Sequence, residues 1–282
     1  MNNLLVAFLF LLASTLPAAA DAPRETVFDR VMQAGAIRCG YAIWDPAVYK
    51  DEKTGEMKGL VYDLVNVIGK RLNLKIAWAE EASWGTIVEG MHTGRYDMIC
   101  TGLFATSGRA KVIDFSDPYF YLPVYLVARK HDARFDVSNE TLNDPRYKIA
   151  VLDGELSSIL AAQVFPKATV DSMSQLNDVP LLLKEVETKK ADATVIEPET
   201  FLNYDAHNPG LLKIVDPAHP LSLMATTLGL PQNDLAFKRM IDVTVRELIF
   251  DGTVAALVKK YEKHDGTMLL PARPFQPTET QK

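Results

Sequence analysis

The sequence contains few cysteines, few histidines and fewer basic than acidic residues. Its 30 Lys and Arg residues are outnumbered by 36 Asp and Glu residues, which gives a formal charge of −6. This deficit argues against a nucleic-acid partner, because phosphate binding requires a basic surface. No Cys/His cluster, phosphate-binding loop or nucleophile elbow is present, so the sequence predicts no metal, no cofactor and no catalytic residue. The histidines are scattered along the chain: His92, His131, His207, His219 and His264.

Long hydrophobic runs are also missing, apart from one near the start. Residues 4–16 read LLVAFLFLLASTL and are followed by small residues that end at Ala20. This pattern predicts a signal peptide over residues 1–20, although residues 1–3 carry no Lys or Arg. A membrane anchor is the alternative, but the run is shorter than the roughly 20 residues that span a bilayer. No cysteine follows the run, which disfavours a lipoprotein, so we expect an exported, periplasmic protein.

The two cysteines, Cys39 and Cys100, lie near the ends of two predicted strands, IRCG and DMICTG. In an exported protein such a pair can form a disulfide if adjacent strands bring the residues close together. Two buried thiols are the alternative, and the sequence does not decide between them.

Strand-like and helix-like segments alternate through two successive units. Short β-type runs such as 36–41 and 96–102 enclose helical segments such as 59–72. This alternation predicts an α/β fold whose lobes are mostly parallel sheets with flanking helices. Two extended segments, 123–130 and 224–230, are placed to cross between the units. A single long open sheet is the alternative.

The crossing segments lead to a specific domain organisation. We expect a signal peptide over 1–20, a first lobe of residues 21–127 plus 226–282, and a second lobe of residues 128–225 inserted into it.

Candidate site residues follow the strands of both units. Ligands of open α/β sheets bind beyond the carboxyl ends of the strands. Those ends carry Trp44, Trp84 and Arg109 in the first unit, and Ser157 and Glu197 in the second. An arginine offers an anion a planar fork of donors. From position alone, however, a surface ion pair for the arginine and core packing for the tryptophans are the ordinary alternatives.

Several stretches resemble one protein family. Residues 83–120 read SWGTIVEGMHTGRYDMICTGLFATSGRAKVIDFSDPYF: an aromatic, a helix ending in Gly, a strand, a Thr-x-x loop leading to Arg, and Phe-Ser-x-Pro-Tyr. Smaller matches are KGLVYDLVNVIGKRL (58–72), KIAVLDG (148–154), KKADATVIEP (189–198) and DGTVAALVKKY (251–261). As a set, these motifs are similar to the extracytoplasmic solute-binding proteins of the amino-acid type, family 3, of ABC transporters.

The resemblance implies a two-lobed clamshell that holds an amino acid between its lobes. It implies that Arg109 grips the α-carboxylate of the ligand, with help from the backbone at Thr101–Gly102. It also implies that Trp44 and Trp84 sandwich the ligand, and that Glu197 pairs with its α-ammonium.

Some positions depart from the family's pattern. Phe104 stands where a Ser or Thr hydroxyl usually contacts the carboxylate, and Glu197 replaces an Asp. Glu155 and Leu156 replace a Gly-Thr/Ser-Thr loop that donates to the carboxylate, and Val61 replaces an acid found in many members. If Glu155 points into the cleft, two acids and one arginine make the cleft net negative and favour a ligand with extra positive charge. Alternatively, Glu155 caps the following helix or turns to solvent.

The resulting hypothesis is a monomeric periplasmic protein that binds a small polar solute, an amino acid or a related amine-containing carboxylate. Clamshell closure would present the solute to an inner-membrane ABC permease. One alternative is a dehydratase acting on prephenate or arogenate, in which Glu155 or Glu197 is the general acid. Another is a ligand-sensing accessory protein of a membrane receptor.

Overall fold

The structure is a computed structural model that describes residues 25–272, so the predicted signal peptide lies outside the described residues. The strands, in chain order, are β1 (Ala36–Tyr41), β2 (Tyr49–Lys50), β3 (Met57–Lys58), β4 (Lys75–Glu81), β5 (Met98–Phe104), β6 (Asp114–Phe115), β7 (Phe120–Arg129), β8 (Lys148–Leu152), β9 (Thr169–Met173), β10 (Ala193–Ile196), β11 (Leu212–Ile214) and β12 (Ser222–Leu230). The α-helices are α1 (Val27–Ala34), α2 (Leu60–Leu72), α3 (Ile87–His92), α4 (Leu156–Val164), α5 (Leu181–Glu187), α6 (Pro198–His207), α7 (Leu235–Phe250) and α8 (Thr253–Tyr261). Short 3-10 helices cover Arg109–Lys111, Ala133–Phe135 and Asn139–Leu142.

The main sheet is parallel towards both ends and antiparallel in the middle. Its strand order is β4-β1-β5-β12-β7-β10-β8-β9. β1 pairs in parallel with β4 and β5, and β8 pairs in parallel with β9 and β10. β12 and β7 lie between these groups and pair antiparallel with each other and with their outer neighbours. β6 and β11 add to the two middle strands, while β2 and β3 form a separate hairpin.

The two parallel ends of the sheet belong to two lobes. We call lobe 1 the half that contains β4, β1 and β5 with α1, α2, α3, α7 and α8. Lobe 2 is the half that contains β10, β8 and β9 with α4, α5 and α6. The chain passes between the lobes along β7 and β12, which pair from Ser222 opposite Val124 to Thr226 opposite Phe120. The α/β class and the two-lobed, mostly parallel architecture expected from the sequence are confirmed.

The helices form where apolar residues recur at helical spacing, because one face of each helix packs on a sheet. In α2, Leu64, Val65 and Ile68 are fully buried, and the helix ends at Asn73 in the left-handed conformation. In α7, the buried face includes Phe237 and Ile241. These buried helix faces form the core that holds the carboxyl ends of β1 and β5 in place.

Among the short features that were not expected from the sequence, two lie near the start of the described residues. One is α1, whose N-cap Thr26 forms a capping box with Asp29. The other is the β2–β3 hairpin, whose two strands contain two residues each. The strands of the hairpin are too short for a periodic pattern to be recognised.

Cys39 in β1 and Cys100 in β5 are joined by a disulfide, with Cα atoms 5.4 Å apart. The parallel pairing of the two strands brings the residues together, since Cys39 lies opposite Met98. Of the two alternatives left open by the sequence, the structure has the disulfide. Among residues 25–272, no helix combines the length and apolar character required to cross a membrane.

Candidate functional site

A small cavity lies between the lobes, at the carboxyl ends of strands from both. Its volume is about 10 Å³, which is room for about one water molecule, so the lobes are closed against each other here. A solute larger than water therefore fits into this cavity only if the lobes separate. The cavity is lined by Trp44, Trp84, Phe104, Arg109, Glu155, Leu156, Val179 and Glu197.

Trp44 provides the central aromatic wall. The loop after β1 holds it through reciprocal backbone hydrogen bonds with Val48, of 2.8 and 2.9 Å. Its indole lies on β5 directly above Gly102, where an added Cβ would come within 2.5 Å of the ring. The ring packs edge-to-face on Phe104, with centroids 5.6 Å apart, and on Trp84, at 6.4 Å and an interplanar angle of 72°. The two indoles thus form two sides of a corner rather than parallel faces.

Arg109 connects the two lobes. It begins the 3-10 helix after β5, and its side chain is partly buried. Nη1 donates to the backbone oxygen of Phe104 in lobe 1 (3.2 Å), and Nη2 donates to that of Gly154 in lobe 2 (3.0 Å). Burial lowers the pKa of Arg109, while the negative charge of Glu155 raises it. Arginine stays protonated in proteins, so this side chain carries the positive charge of the cavity.

Glu155 both caps a helix and lines the cavity, so the two orientations considered for it are not exclusive. It is the N-cap of α4, and its Oε2 accepts hydrogen bonds from the Ser157 backbone N–H (2.8 Å) and from Ser157 Oγ (2.7 Å). The residue is 7% exposed. Burial raises the pKa of Glu155, and the bonds from Ser157 and the charge of Arg109 oppose that rise.

Glu197 is the second buried carboxylate, at the end of β10 and the start of α6. Its Oε1 accepts hydrogen bonds from Trp44 Nε1 across the lobe interface (3.2 Å) and from Thr200 Oγ1 within lobe 2. The side chain is almost fully buried, and this burial raises the pKa of Glu197 to about 7. The negative charge of Glu155 contributes to the rise, while the bonds from Thr200 and Trp44 oppose it.

The cavity adjoins a much larger open cleft of about 850 Å³ that shares Trp44, Trp84 and Val179 with it. Several carboxylates line this cleft, and none of the described residues that line it is a lysine or arginine. Two of the carboxylates pair with lysines from outside, Asp45 with Lys263 and Glu81 with Lys50. The acidic lining residues are Asp45, Glu52, Glu81 and Asp178.

Not all residues expected at the site reach the cavity wall. Thr101, Gly102 and Ser157 lie one layer behind it. Thr101 Oγ1 donates to the Ala42 backbone oxygen (3.1 Å), Gly102 supports the Trp44 ring, and Ser157 holds Glu155. Val179 was not expected, because nothing distinguishes an apolar residue before a helix from a core residue. The other expected residues meet in the cavity: Trp44, Trp84, Phe104, Arg109, Glu155 and Glu197.

The fold and this cavity define a two-lobed binding protein, in which lobe 1 supplies an arginine and three aromatic rings and lobe 2 supplies two carboxyl groups to one enclosed space. The family of bacterial extracellular solute-binding proteins, family 3, matches residues 37–264, and the chain belongs to this family. The resemblance identified from the sequence motifs is thereby confirmed.

Individual relatives agree with this assignment. A probable histidine-binding protein of Campylobacter jejuni is 29% identical over 221 residues, which cover 75% of this chain and 79% of that protein. A probable histidine-binding protein of Neisseria gonorrhoeae is 26% identical over 159 residues, 56% of this chain and 57% of that protein. Among solved structures, an ancestral amino acid-binding protein described as a precursor of cyclohexadienyl dehydratase superposes with a TM-score of 0.71. It is 25% identical, and the match covers 85% of this chain and all of that one.

Proposed function

We propose that this protein binds a small amine-bearing solute, an amino acid or a related amine, between its two lobes and delivers it to an ABC transporter permease. The observation that carries the proposal is that both lobes contribute ionisable groups to a single cavity and bond to each other across it. Trp44 of lobe 1 bonds to Glu197 of lobe 2, and Arg109 of lobe 1 bonds to Gly154 of lobe 2. The relatives support an amine, since their names refer to histidine and to amino acids.

In this proposal the ionised Glu197 pairs with the amine, and the indoles of Trp44 and Trp84 contact its cationic group. Arg109 balances the acidic charge and links the lobes. A micromolar dissociation constant corresponds to about −8.2 kcal/mol, which one charged pair and aromatic burial can supply. Because the solute touches both lobes, its binding favours the closed arrangement that a permease can recognise.

The closed arrangement has further support away from the cavity. Gly154 of lobe 2 lies so near lobe 1 that an added Cβ would come within 3.2 Å of the Gly85 backbone. Behind the cavity, Thr267 Oγ1 and His264 Nδ1 both contact the buried Glu199 of α6, at 3.0 and 3.3 Å. These contacts would be made or broken as the lobes move.

The location and organisation form part of the same proposal. Residues 1–20 would direct export to the periplasm and be removed. The mature chain would act as a monomer, with lobe boundaries near residues 127 and 226.

Thermal-shift and calorimetric measurements over amino acids and amines test the binding proposal. Arg109→Ala is expected to abolish the stabilisation that the best binder gives, because it breaks the bond to Gly154 that joins the lobes and removes the positive charge near Glu155. Arg146→Ala is the matched control, since Arg146 is an exposed arginine whose partner is the nearby Asp144. If Arg109→Ala binds the same compound as tightly as the Arg146→Ala control, the proposed site is wrong.

A second candidate function is catalysis by Glu197, as in the dehydratase alternative. A buried carboxyl group with a pKa of about 7 is suited to donate a proton near neutral pH. One of the similar solved structures, the ancestral amino acid-binding protein, is a precursor of a dehydratase, and this similarity favours the alternative. Incubation with prephenate or arogenate, followed by ultraviolet absorbance of the aromatic product, separates the two functions. Formation of product by the wild type but not by Glu197→Gln would favour the enzyme.

A further inference from the structure

The chain itself places a carboxylate at the cavity position that is best suited to an anion. Glu155 lies at the N-terminus of the nine-residue helix α4, where backbone N–H groups and the helix dipole favour negative charge. Its Oε2 accepts two hydrogen bonds there, both from Ser157. Arg109 lines the same cavity and attracts it electrostatically. The helix end and the Ser157 hydroxyl thus already hold an anion that belongs to the protein, and the guanidinium attracts this anion from a distance.

Most side-chain donor atoms around the cavity are bonded inside the chain as well; among the described residues, Trp84 Nε1 and three of the five N–H groups of Arg109 are not. The bonds run from Trp44 Nε1 and Thr200 Oγ1 to Glu197, from Thr101 Oγ1 to the Ala42 backbone oxygen, from Ser157 Oγ to Glu155, and from Arg109 Nη1 and Nη2 to the backbone oxygens of Phe104 and Gly154. A second carboxylate entering the cavity would have to displace one of these acceptors or share the remaining N–H groups of Arg109 and Trp84, and the charge of Arg109 already interacts with Glu155. An anion left without donors in a buried site is costly.

The net charge of the cavity also disfavours a second carboxylate. With both acids ionised, Glu155, Glu197 and Arg109 give the cavity a net charge of −1. A solute that brings only a cation neutralises this charge. A zwitterionic amino acid brings the same cation together with a carboxylate, which the two buried acids repel.

The surroundings of the cavity also suit a cation. Three aromatic residues line the cavity, Trp44, Trp84 and Phe104, and aromatic rings attract ammonium and guanidinium groups. The adjoining cleft is lined by carboxylates, of which Glu52 and Asp178 have no ion-pair partner among residues 25–272. An acidic cleft of this kind raises the local concentration of cations next to the cavity.

We infer that the site selects organic amines that lack an α-carboxylate over the amino acids that share their side chains, and that Glu155 is the residue that sets this preference. The inference rests on the proposed function, because it narrows the class of solute bound at the same site. Glu155 acts in two ways: its carboxylate occupies the anion position at the start of α4, and its charge repels the α-carboxylate of an amino acid.

Matched pairs of compounds that differ by one carboxylate test the inference directly. The pairs are agmatine and arginine, putrescine and ornithine, and histamine and histidine. Calorimetric titration of the wild type is expected to give at least about tenfold tighter binding for the amine of the best-bound pair. Equal or tighter binding of the amino acid would overturn the inference and leave the proposed function standing. If no member of any pair binds at millimolar concentration, the inference fails; the proposed function fails as well only if the wider screen of amino acids and amines also yields no ligand.

Glu155→Gln tests the residue. The variant keeps the side-chain length and an oxygen that can accept the Ser157 N–H, but it removes the charge. The preference is expected to move towards the amino acid by at least about tenfold. Asp234→Asn is the matched control, since Asp234 is also a buried acid that caps a helix, α7 of lobe 1, outside the cavity. An unchanged preference in Glu155→Gln would overturn the assignment to Glu155, and the wild-type comparison decides the amine selectivity even if the variant does not fold.

Discussion

Glu197→Gln is expected to stabilise the protein in the absence of solute and to remove its ability to bind one. Glu197 is almost fully buried, and burial raises its pKa from 4.5 to about 7. In the folded protein, Glu197 therefore binds its proton more tightly than it does in the unfolded chain. The contribution of Glu197 to stability is fully present below pH 4.5 and is lost as the pH rises towards about 7. Glutamine is neutral at every pH and does not incur this loss.

The expected change in stability follows from the size of the pKa shift of Glu197. A displacement of the pKa from 4.5 to about 7 corresponds to about 3 kcal/mol of lost stability above neutral pH. The glutamine oxygen can still accept the hydrogen bonds from Trp44 and Thr200, so most of the local structure is kept. The advantage of the variant over the wild type should thus grow by up to about 3 kcal/mol between acid and alkaline pH.

Equilibrium urea unfolding of both proteins at about pH 5 and about pH 8 measures this difference. Glu89→Gln is the control, because Glu89 is an exposed glutamate of α3 and surface changes of this kind usually shift stability by less than about 0.5 kcal/mol. A difference between Glu197→Gln and wild type that is the same at both pH values would refute the reasoning. So would retention of wild-type affinity for the best-binding amine at alkaline pH.

Three further predictions concern the pH dependence, the aromatic wall and the disulfide. Binding of an amine should expel a proton from Glu197, so affinity should be about tenfold weaker at about pH 6 than at about pH 8. Titrations in buffers of different ionisation enthalpy will detect the proton, and pH-independent affinity would contradict the pairing. Gly102→Ala should weaken solute binding more than it lowers stability, because the new Cβ displaces the Trp44 ring. Calorimetry measures the change in affinity and urea unfolding the change in stability. Unchanged affinity would show that the position of the Trp44 ring is unimportant for binding. Replacing both Cys39 and Cys100 by Ala should cost about 4 kcal/mol, since the bond closes a loop with a sequence separation of 61 residues; a loss below about 1 kcal/mol in urea unfolding would contradict that value.

Much of the fold could be predicted from local patterns. The segment 59–72 repeats apolar residues at helical spacing and ends with basic residues, and it forms α2 over Leu60–Leu72. The runs 36–41 and 224–230 are strands in the structure, as β1 and within β12. Elements of a few residues, such as the β2–β3 hairpin, have no period to detect and depend on tertiary contacts.

The site could be predicted only in part, because its geometry depends on the contact between the lobes. The motif around Arg109 and the strand ends indicated which residues meet. The sequence could not indicate that Arg109 bonds to Gly154 across 45 positions of chain, or that Glu155 would cap α4 and still face the cavity. It also gave no signal for Val179, whose role in the wall follows from the closed arrangement alone.

The indole N–H groups of the tryptophans test the central claim that the solute binds between the lobes. The sequence has three tryptophans, and Trp78 provides an internal control because it stacks on Tyr62 outside the cavity, with centroids 4.7 Å apart. The proposed measurement is an NMR titration of the three indole signals, assigned by single Trp→Phe variants, with the tightest-binding amine or amino acid. We expect the signals of Trp44 and Trp84 to shift in proportion to occupancy, while that of Trp78 stays in place. A titration that saturates with Trp44 and Trp84 unmoved would contradict the account.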